Sequence, residues 1–565
     1  MRRYLIFGLL LAGGSVAGAE GWVRWNQQGY APHQRKVALV MSDQPLTGQT
    51  WSIAGRTHEL GESVLGAGPN SPSAFHYAVD FSFVEQPGVH ELRVADLDAV
   101  AVVVSERPYA ALANLPLQHL RMARSGTDTV LWRQASHPGD AATPLYVPEG
   151  NPSNGAWRAA ESGRRVDVRG GWYDAGDHLK FTLTTAYTVY HLLLAHEIAP
   201  TIFTKVHSTS ALPDILDEAK HGLDYLLKLW PDEDTFIVQV GDARDHNLGW
   251  RLPADDELDG TRPAMAALAQ VPMFSTVAAL AKGARTLAVF DEAAADRYAA
   301  AAVALFERAR RSDTILTAFE RDDVNDFYRD DSVNDQRALA ALELAALTGE
   351  PRYEDDAVAH RPGRAEQVGW ADWHWLAHRN LALAGNKWGA PAWWAEIFRY
   401  QTYARRQGQP WGQPTRYVWG SLTRWIGAAN AGEAAAQLAG SHAERPALFD
   451  DMLDYVFGRN PWGASFLFDE RLPNTLRHLY SPTAKLLERF PVGAFSAGPA
   501  GRRTHESMRR YFDVAPTDPF ERFNTTTMVF YDNEHDFVCQ EATIGGQADI
   551  VLMLALAAAR TEVDR

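Results

Sequence analysis

A mainly helical barrel carried behind a small β-sandwich is the architecture this sequence predicts, and three observations predict it. The first is the stretch from Trp22 to about Glu106, which runs in short alternating segments separated by turn residues. The second is an abrupt change after Arg107-Pro108 to apolar residues recurring at three- and four-residue steps between long polar loops. The third is that this helical remainder is long and shows no convincing strand, which fits antiparallel helix pairs closed into a toroid.

The elements follow in order. Met1-Arg2-Arg3, an apolar run from Tyr4 to Ala12 and the small residues Ala17-Gly18-Ala19 have the three-part layout of a secretory signal peptide, so residues 1–19 are expected to be removed. The mature protein is then expected to be secreted or periplasmic. No later stretch reaches the roughly 18 to 20 uninterrupted apolar residues of a membrane span, so no membrane partner is expected. Residues 20–107 form the sandwich, with strands expected at Val23–Asn26, Lys36–Val40, Thr50–Ile53, Phe75–Phe81, His90–Val94 and Ala99–Val104. Nothing in it carries catalytic chemistry, and its expected role is to pack against the larger domain.

Residues 108–565 form the helical domain. Between Pro213 and Trp230, Leu216, Ala219, Leu223 and Leu226 make an apolar stripe with Asp217, Glu218, Lys220 and Lys228 between them. Further helices are predicted at 274–290, 293–310, 335–348, 369–384, 392–406, 417–438, 446–457 and 542–560, several of them so rich in Ala and Leu that they must be buried on most sides. Function is expected in the loops at one rim.

Composition narrows the partners. The chain has 565 residues, 46% of them hydrophobic, and a formal net charge of −16 with no useful basic run, which argues against nucleic acid. Its 18 Trp, 19 Tyr and 24 Phe supply flat amphipathic surface suited to carbohydrate, although most tryptophans at helical spacing belong to a core. A single cysteine, Cys539, rules out intramolecular disulfides and cysteine-based zinc sites.

Two acidic stretches carry the chemistry. Gly170-Gly171-Trp172-Tyr173-Asp174-Ala175-Gly176-Asp177-His178-Leu179-Lys180-Phe181 places two carboxylates three residues apart in a glycine-bounded turn. Alone, such a pair reads best as a helix cap or a calcium loop. At the far end, Tyr531 to Thr543 carries Glu541 at the entry to the last apolar helix, where a glutamate ordinarily just complements the helix dipole. Two acidic loops at opposite ends of a closed ring can meet across its mouth, and glycoside hydrolysis needs such a pair. Cys539 with His535 lacks a third orienting group and reads as a buried thiol.

Here the chain resembles glycoside hydrolase family 9, the inverting cellulase family built on an (α/α)6 barrel. The resemblance rests on Tyr173-Asp174-Ala175-Gly176-Asp177-His178 with Lys180-Phe181. It is supported by Gln239-Val240-Gly241-Asp242 with Asp245-His246, Asp331-Ser332-Val333-Asn334-Asp335, Trp419-Gly420-Ser421, Gly458-Arg459-Asn460-Pro461, and Gly493 to Gly498-Pro499, in that order. The opening Val23-Arg24-Trp25-Asn26-Gln27-Gln28-Gly29-Tyr30 is similar to the immunoglobulin-like domain that precedes many members.

The resemblance implies that Asp177 is the general base, that Asp174 helps hold the attacking water, and that Glu541 is the general acid. Inversion sets acid and base roughly 6.5 to 9.5 Å apart. Asp174 is expected to raise the basicity of Asp177, and Glu541 to be kept protonated by burial and by Asp174, Asp177 and Asp536. Trp172, Tyr173, His178, His478 and Tyr531 are the expected substrate contacts. Two departures stand out: Tyr480 occupies the place of the arginine in the family's His-x-Arg pair, and Gln540-Glu541 replaces the usual Asn-Glu.

The implied substrate is a β-glucan polysaccharide or oligosaccharide, cut by an endo-β-1,4-glucanase that acts as a monomer and needs no cofactor for its chemistry. The alternatives are an exo-acting β-glucosidase or glucosaminidase and, with all three carboxylates present, more remotely a non-catalytic carbohydrate-binding protein. A structural calcium ion is left open by the acidic run Asp322-Asp323-Val324-Asn325-Asp326 to Asp330-Asp331, whose spacing is not that of a twelve-residue calcium loop.

Overall fold

The computed structural model describes residues 20–64, 68–126, 128, 130–150, 157–315, 328, 330, 332–364, 369, 373–406, 410–440, 445–512 and 518–563. The expected signal peptide, Asp322 to Asp326, Asp331 and Trp370 lie outside them.

The N-terminal strands pair into two sheets. One has the order β1 (Gly21–Arg24), β2 (Val37–Ser42), β5 (Phe75–Asp80). The other has the order β4 (Arg56–Glu59), β3 (Thr50–Ile53), β6 (Gly88–Val94), β7 (Val100–Val104). Both are antiparallel, with Val40 opposite Tyr77 and Trp51 opposite Val94. Val40, Tyr77, Val79, Ile53, Leu92 and Val94 fill the space between them. The strand absent from the sequence reading, β4, is exposed at every residue, so no buried face produced an alternation to detect.

The sandwich is bolted to the helical domain by two of the motifs that support the resemblance. Gln27 N–H donates to Phe457 O at 2.9 Å, Gln27 Nε2 to Gly463 O at 2.7 Å, Arg24 Nε to Pro461 O at 3.2 Å and Asn26 Nδ2 to Asp454 Oδ1 at 2.9 Å. Gly458 has a φ of +118°, and a Cβ there would lie 2.2 Å from Gln27 Nε2. The Gly458-Arg459-Asn460-Pro461 turn is therefore one half of an interdomain seam, and the Arg24 to Tyr30 stretch is the other.

Among the described residues, six helices close an inner ring: α1 (Thr182–Ile198), α2 (Gln270–Leu287), α3 (Asn334–Thr348), α4 (His374–Leu383), α5 (Ser421–Ala439) and α6 (Ile544–Val563), each packed on the next and α6 back on α1. Six outer helices, Leu115–Met122, Asp214–Lys228, Glu292–Ala309, Pro351–Ala359, Gly389–Arg406 and Ala447–Val456, pack outside them. This is the expected (α/α)6 barrel. The sequence reading passed over α1 because fourteen of its seventeen residues are buried, which leaves no polar stripe.

The expectation of no strands in this domain is corrected. A sheet at the rim runs β10 (Arg165–Val166), β8 (Thr143–Pro148), β13 (Ala264–Ala266), β12 (Ile237–Val240), β11 (Lys180–Phe181), with β9 (Trp157–Ala159) on β8. Its strands are short, and the central ones are buried on both faces, so they lack period-two patterning. This sheet positions the loop that carries Asp174 and Asp177: Lys180 pairs with Val240 and Phe181 with Gln239 shortly after Asp177.

Candidate active site

The loop Gly170–Leu179 is anchored at both ends before it presents any charge. Tyr173 N–H donates to Ala123 O at 2.8 Å, and Asp174 N–H to Leu179 O at 2.9 Å. Lys180 is buried just beyond, its Nζ 2.7 Å from both Asp140 Oδ2 and Val168 O. Across the ring, Ile544 N–H at the start of α6 donates to Asp174 O at 2.9 Å. The first and last inner helices thus bring the two acidic stretches together.

Glu541 reaches the loop directly. Gly176 N–H donates to Glu541 Oε1 at 3.1 Å, and Ala497 N–H fixes the Glu541 carbonyl, also at 3.1 Å. Glu541 does not begin the long helix, as the sequence reading had it. It is an extended residue just after the short helix Phe537–Gln540 and three residues before α6. Asp536 also does something else: its Oδ1 caps that short helix through Val538 and Cys539 N–H, and its Oδ2 lies 2.9 Å from His505 Nε2.

The three carboxyls have distinct surroundings. Asp174 is buried and accepts hydrogen bonds from the hydroxyls of Thr184 on α1 and Tyr328; burial lifts its pKa to about 7 against the pull of those two donors. Burial pushes Asp177 up too, but His246 Nε2 at 2.8 Å, by its hydrogen bond and its charge, outweighs this with help from Leu179 N–H at 3.0 Å. Asp177 is therefore held below the usual carboxylate range, and the expected gain in basicity from Asp174 is corrected by the histidine. Burial first, then the charge of Asp177, carries Glu541 to about 8. One carboxyl is kept ionised and the other kept protonated.

Thr184, His246 and Tyr328 were not assigned roles from sequence. His246 sits in the Asp245-His246 dipeptide, so its place was visible though its task was not. Tyr328 lies inside the acidic run with no local signature; its φ of +57° is uncommon for a bulky residue, and such strain is typical of functional positions.

The expected substrate contacts fare differently. Trp172 is fully buried, its indole N–H 3.2 Å from Glu218 Oε2, and offers no face to a sugar. Tyr173 is 4% exposed, with its hydroxyl against Ser136 Oγ and His137 Nδ1. Tyr531 is 5% exposed and packs on His505. His178 Nδ1 lies 3.0 Å from Asp256 Oδ2 inside the protein. Trp172 and Tyr531 are corrected to structural residues, because their rings are packed inside the protein. Tyr173 and His178, although largely buried, line a depression together with Gly176 and Asp177. His478 alone is exposed, with Nδ1 3.6 Å from Glu534 Oε2. The aromatic surface beside the acid comes instead from Trp250, Tyr480 and Phe537.

Cys539 is buried with its Sγ toward Val529 O, while His535 lies outside on Trp250, so the two do not pair. Among the described residues, two groups have donor spacings compatible with a metal: His137 with His178 and Asp256, and His505 with Asp536 and Cys539. Arg251 binds Asp256 through two bonds of 2.8 and 3.0 Å while both imidazoles share its Oδ2. In the second group Asp536 is taken up by His505 and the helix cap. Both are hydrogen-bonded braces. No helix among the described residues is long and apolar enough to cross a membrane.

Comparison with known proteins agrees with this geometry. The sequence pattern of glycosyl hydrolase family 9 matches residues 109–554, and that of the cellulase N-terminal ig-like domain matches residues 18–99. The chain is 30% identical over 500 residues to endoglucanase C of Cellulomonas fimi, a stretch covering 79% of this chain and 44% of that protein. It therefore spans less than half the length of that relative. It is 22% identical to a xyloglucan-specific endo-beta-1,4-glucanase of Bacteroides ovatus, covering 94% of this chain and 92% of the relative. The thermostable endoglucanase of Alicyclobacillus acidocaldarius shares the fold with a TM-score of 0.76 at 21% identity, over 95% of this chain and 99% of that one.

Proposed function

Because this chain belongs to glycosyl hydrolase family 9, we propose that it is an inverting glycoside hydrolase that cleaves β-1,4-glucosidic bonds within cellulose or related β-glucans. The observation that carries the reading is Glu541 held against the loop of Asp177 through Gly176 N–H, where burial and the charge of Asp177 favour its protonated form. Asp177, charged and bonded to His246, takes a proton from water as that water attacks the anomeric carbon. Asp174, oriented by Thr184 and Tyr328, holds the water in line. Glu541 gives its proton to the departing glycosidic oxygen, and the product carries the opposite anomeric configuration. These side chains and one water supply the whole of the chemistry, so no cofactor enters it.

A product time course tests the reading. On a soluble cellulose derivative and on xyloglucan, which one relative is named for, viscosity should fall well before monomer accumulates, and proton NMR should show the α-anomer forming first. Steady release of glucose or glucosamine from short oligosaccharides would favour the exo-acting alternative. If Glu541→Gln cut as fast as the parent, the acid assignment would be overturned. Export belongs to the same proposal and rests on the Met1 to Ala19 pattern. Recovery of a product starting near Glu20 from the periplasm or medium supports it, and retention of Met1 in the cell sinks it.

A further inference from the structure

Tyr480 stands where the resemblance led to arginine, and its contacts are not those of a free sugar platform. Its N–H donates to Gln540 O at 3.2 Å, and Tyr480 and Glu541 form an isolated parallel bridge. A Cβ built on Gly176 would lie 2.5 Å from both Cδ1 and Cε1 of Tyr480 and 3.1 Å from Glu541 Oε1. Ring edge, loop backbone and acid carboxyl therefore meet at one point. The ring stands edge-on to Trp250 and to Phe537, with both centroids 5.8 Å away. Trp250 in turn stacks on His535 at 4.7 Å.

We propose that Tyr480 is a positioning residue for the general acid: its ring, braced by Trp250 and Phe537, confines the Glu541 carboxyl against Gly176 N–H and limits the access of water to it. This rests on Glu541 being the acid. The groups facing Glu541 are Asp174 and Asp177 from the catalytic loop, His246 from the segment after β12, Tyr328 from across the ring, and Tyr480. The two aspartates favour the protonated acid, while His246 and Gly176 N–H oppose it. Tyr480 stays neutral, since burial and the charge of Glu541 hold its phenol well above the ordinary value, so it acts through its ring. An arginine here would do the reverse, because a guanidinium beside a carboxyl favours ionisation.

The test is the pH dependence of kcat/KM on cellopentaose for the parent, Tyr480→Phe, Tyr480→Ala and Tyr480→Arg. Tyr480→Phe keeps the ring, and its basic limb should stay within about 0.3 pH units of the parent. In Tyr480→Ala and Tyr480→Arg the limb should move down by about one unit or more as water or a cation reaches Glu541. A mere sugar contact would raise KM at every pH and leave the limb in place, and that result overturns the proposal. A readout free of turnover is the gain in Tm on Glu541→Gln as pH rises, measured with Tyr480 and with Tyr480→Arg. The gain should reach its plateau at lower pH with Tyr480→Arg, and an identical plateau overturns the proposal even if cellopentaose is not cut. Undiminished turnover by Glu541→Gln is a separate result and removes the acid assignment itself.

Discussion

Asp177 and Asp256 each face an imidazole, His246 Nε2 at 2.8 Å and His178 Nδ1 at 3.0 Å, and adjacent residues of one loop supply a member to each pair. The surroundings differ. Asp256 is sealed from solvent and also receives Arg251, Leu258 N–H and His137, so five donors converge on it and its carboxyl lies far below the usual range despite burial. Asp177 keeps 22% of its side chain exposed and has one histidine, itself 35% exposed. The same chemical pair is a rivet when a permanent cation and a full set of donors close around it, and stays open to solvent when one histidine and one backbone N–H are its partners. The two lie back to back, so the rivet fixes the open pair.

The largest way to break this contrast is to remove the charge of Asp177. Asp177→Asn should lower kcat by about 10³-fold or more on any β-glucan, with thermal unfolding little changed. Glu541→Gln should lower kcat by roughly 10²- to 10⁴-fold on unactivated glucans, and much less on an aryl glycoside whose leaving group needs no proton. Asp256→Ala should act on the other pair. It strands Arg251 and two imidazoles in a closed space and should cost about 3 to 5 kcal/mol of stability, read as a fall in Tm, with activity following the fold.

His246→Ala sharpens the contrast with a smaller effect. It leaves Asp177 without the partner that holds its pKa down, so the acidic limb of kcat/KM should move upward, while the basic limb set by Glu541 at about 8 should move little. The last effect is on stability. Glu541 is raised from the ordinary carboxyl value when folded, so its contribution is fully present in acid and is lost as pH rises through about 8. Glu541→Gln should therefore unfold at the parent's Tm near pH 4 and above it by pH 9. An equal Tm at both ends would remove the protonated acid from the picture.

The contrast also explains what could be read from the chain. Asp174, Asp177 and Glu541 were legible because their motifs occur in a fixed order along a helical chain, and that order carries the ring closure. The function of His178 and Trp172 was not legible, since adjacency in sequence cannot say which side of a tight turn a side chain faces. The same loop shows both. Tyr328 and Thr184 escaped because each reaches Asp174 through the fold alone, Tyr328 from 154 residues away. Helix α1 and the rim sheet escaped for the opposite reason: burial on all sides erases the periodicity by which elements are recognised.

The bond from Ile544 N–H to Asp174 O has a bearing on how the molecule is made. Until α6 docks, α1 lacks the neighbour that covers one of its apolar sides, and Glu541 is not yet held against Gly176. Synthesis proceeds from the other end, so the chain passes through a long stage in which five inner helices exist without closure and without a working centre. Catalytic competence and protection from aggregation then arrive in one event, the insertion of the last helix. A chain released short of Ile544 should be insoluble and inactive together rather than one without the other.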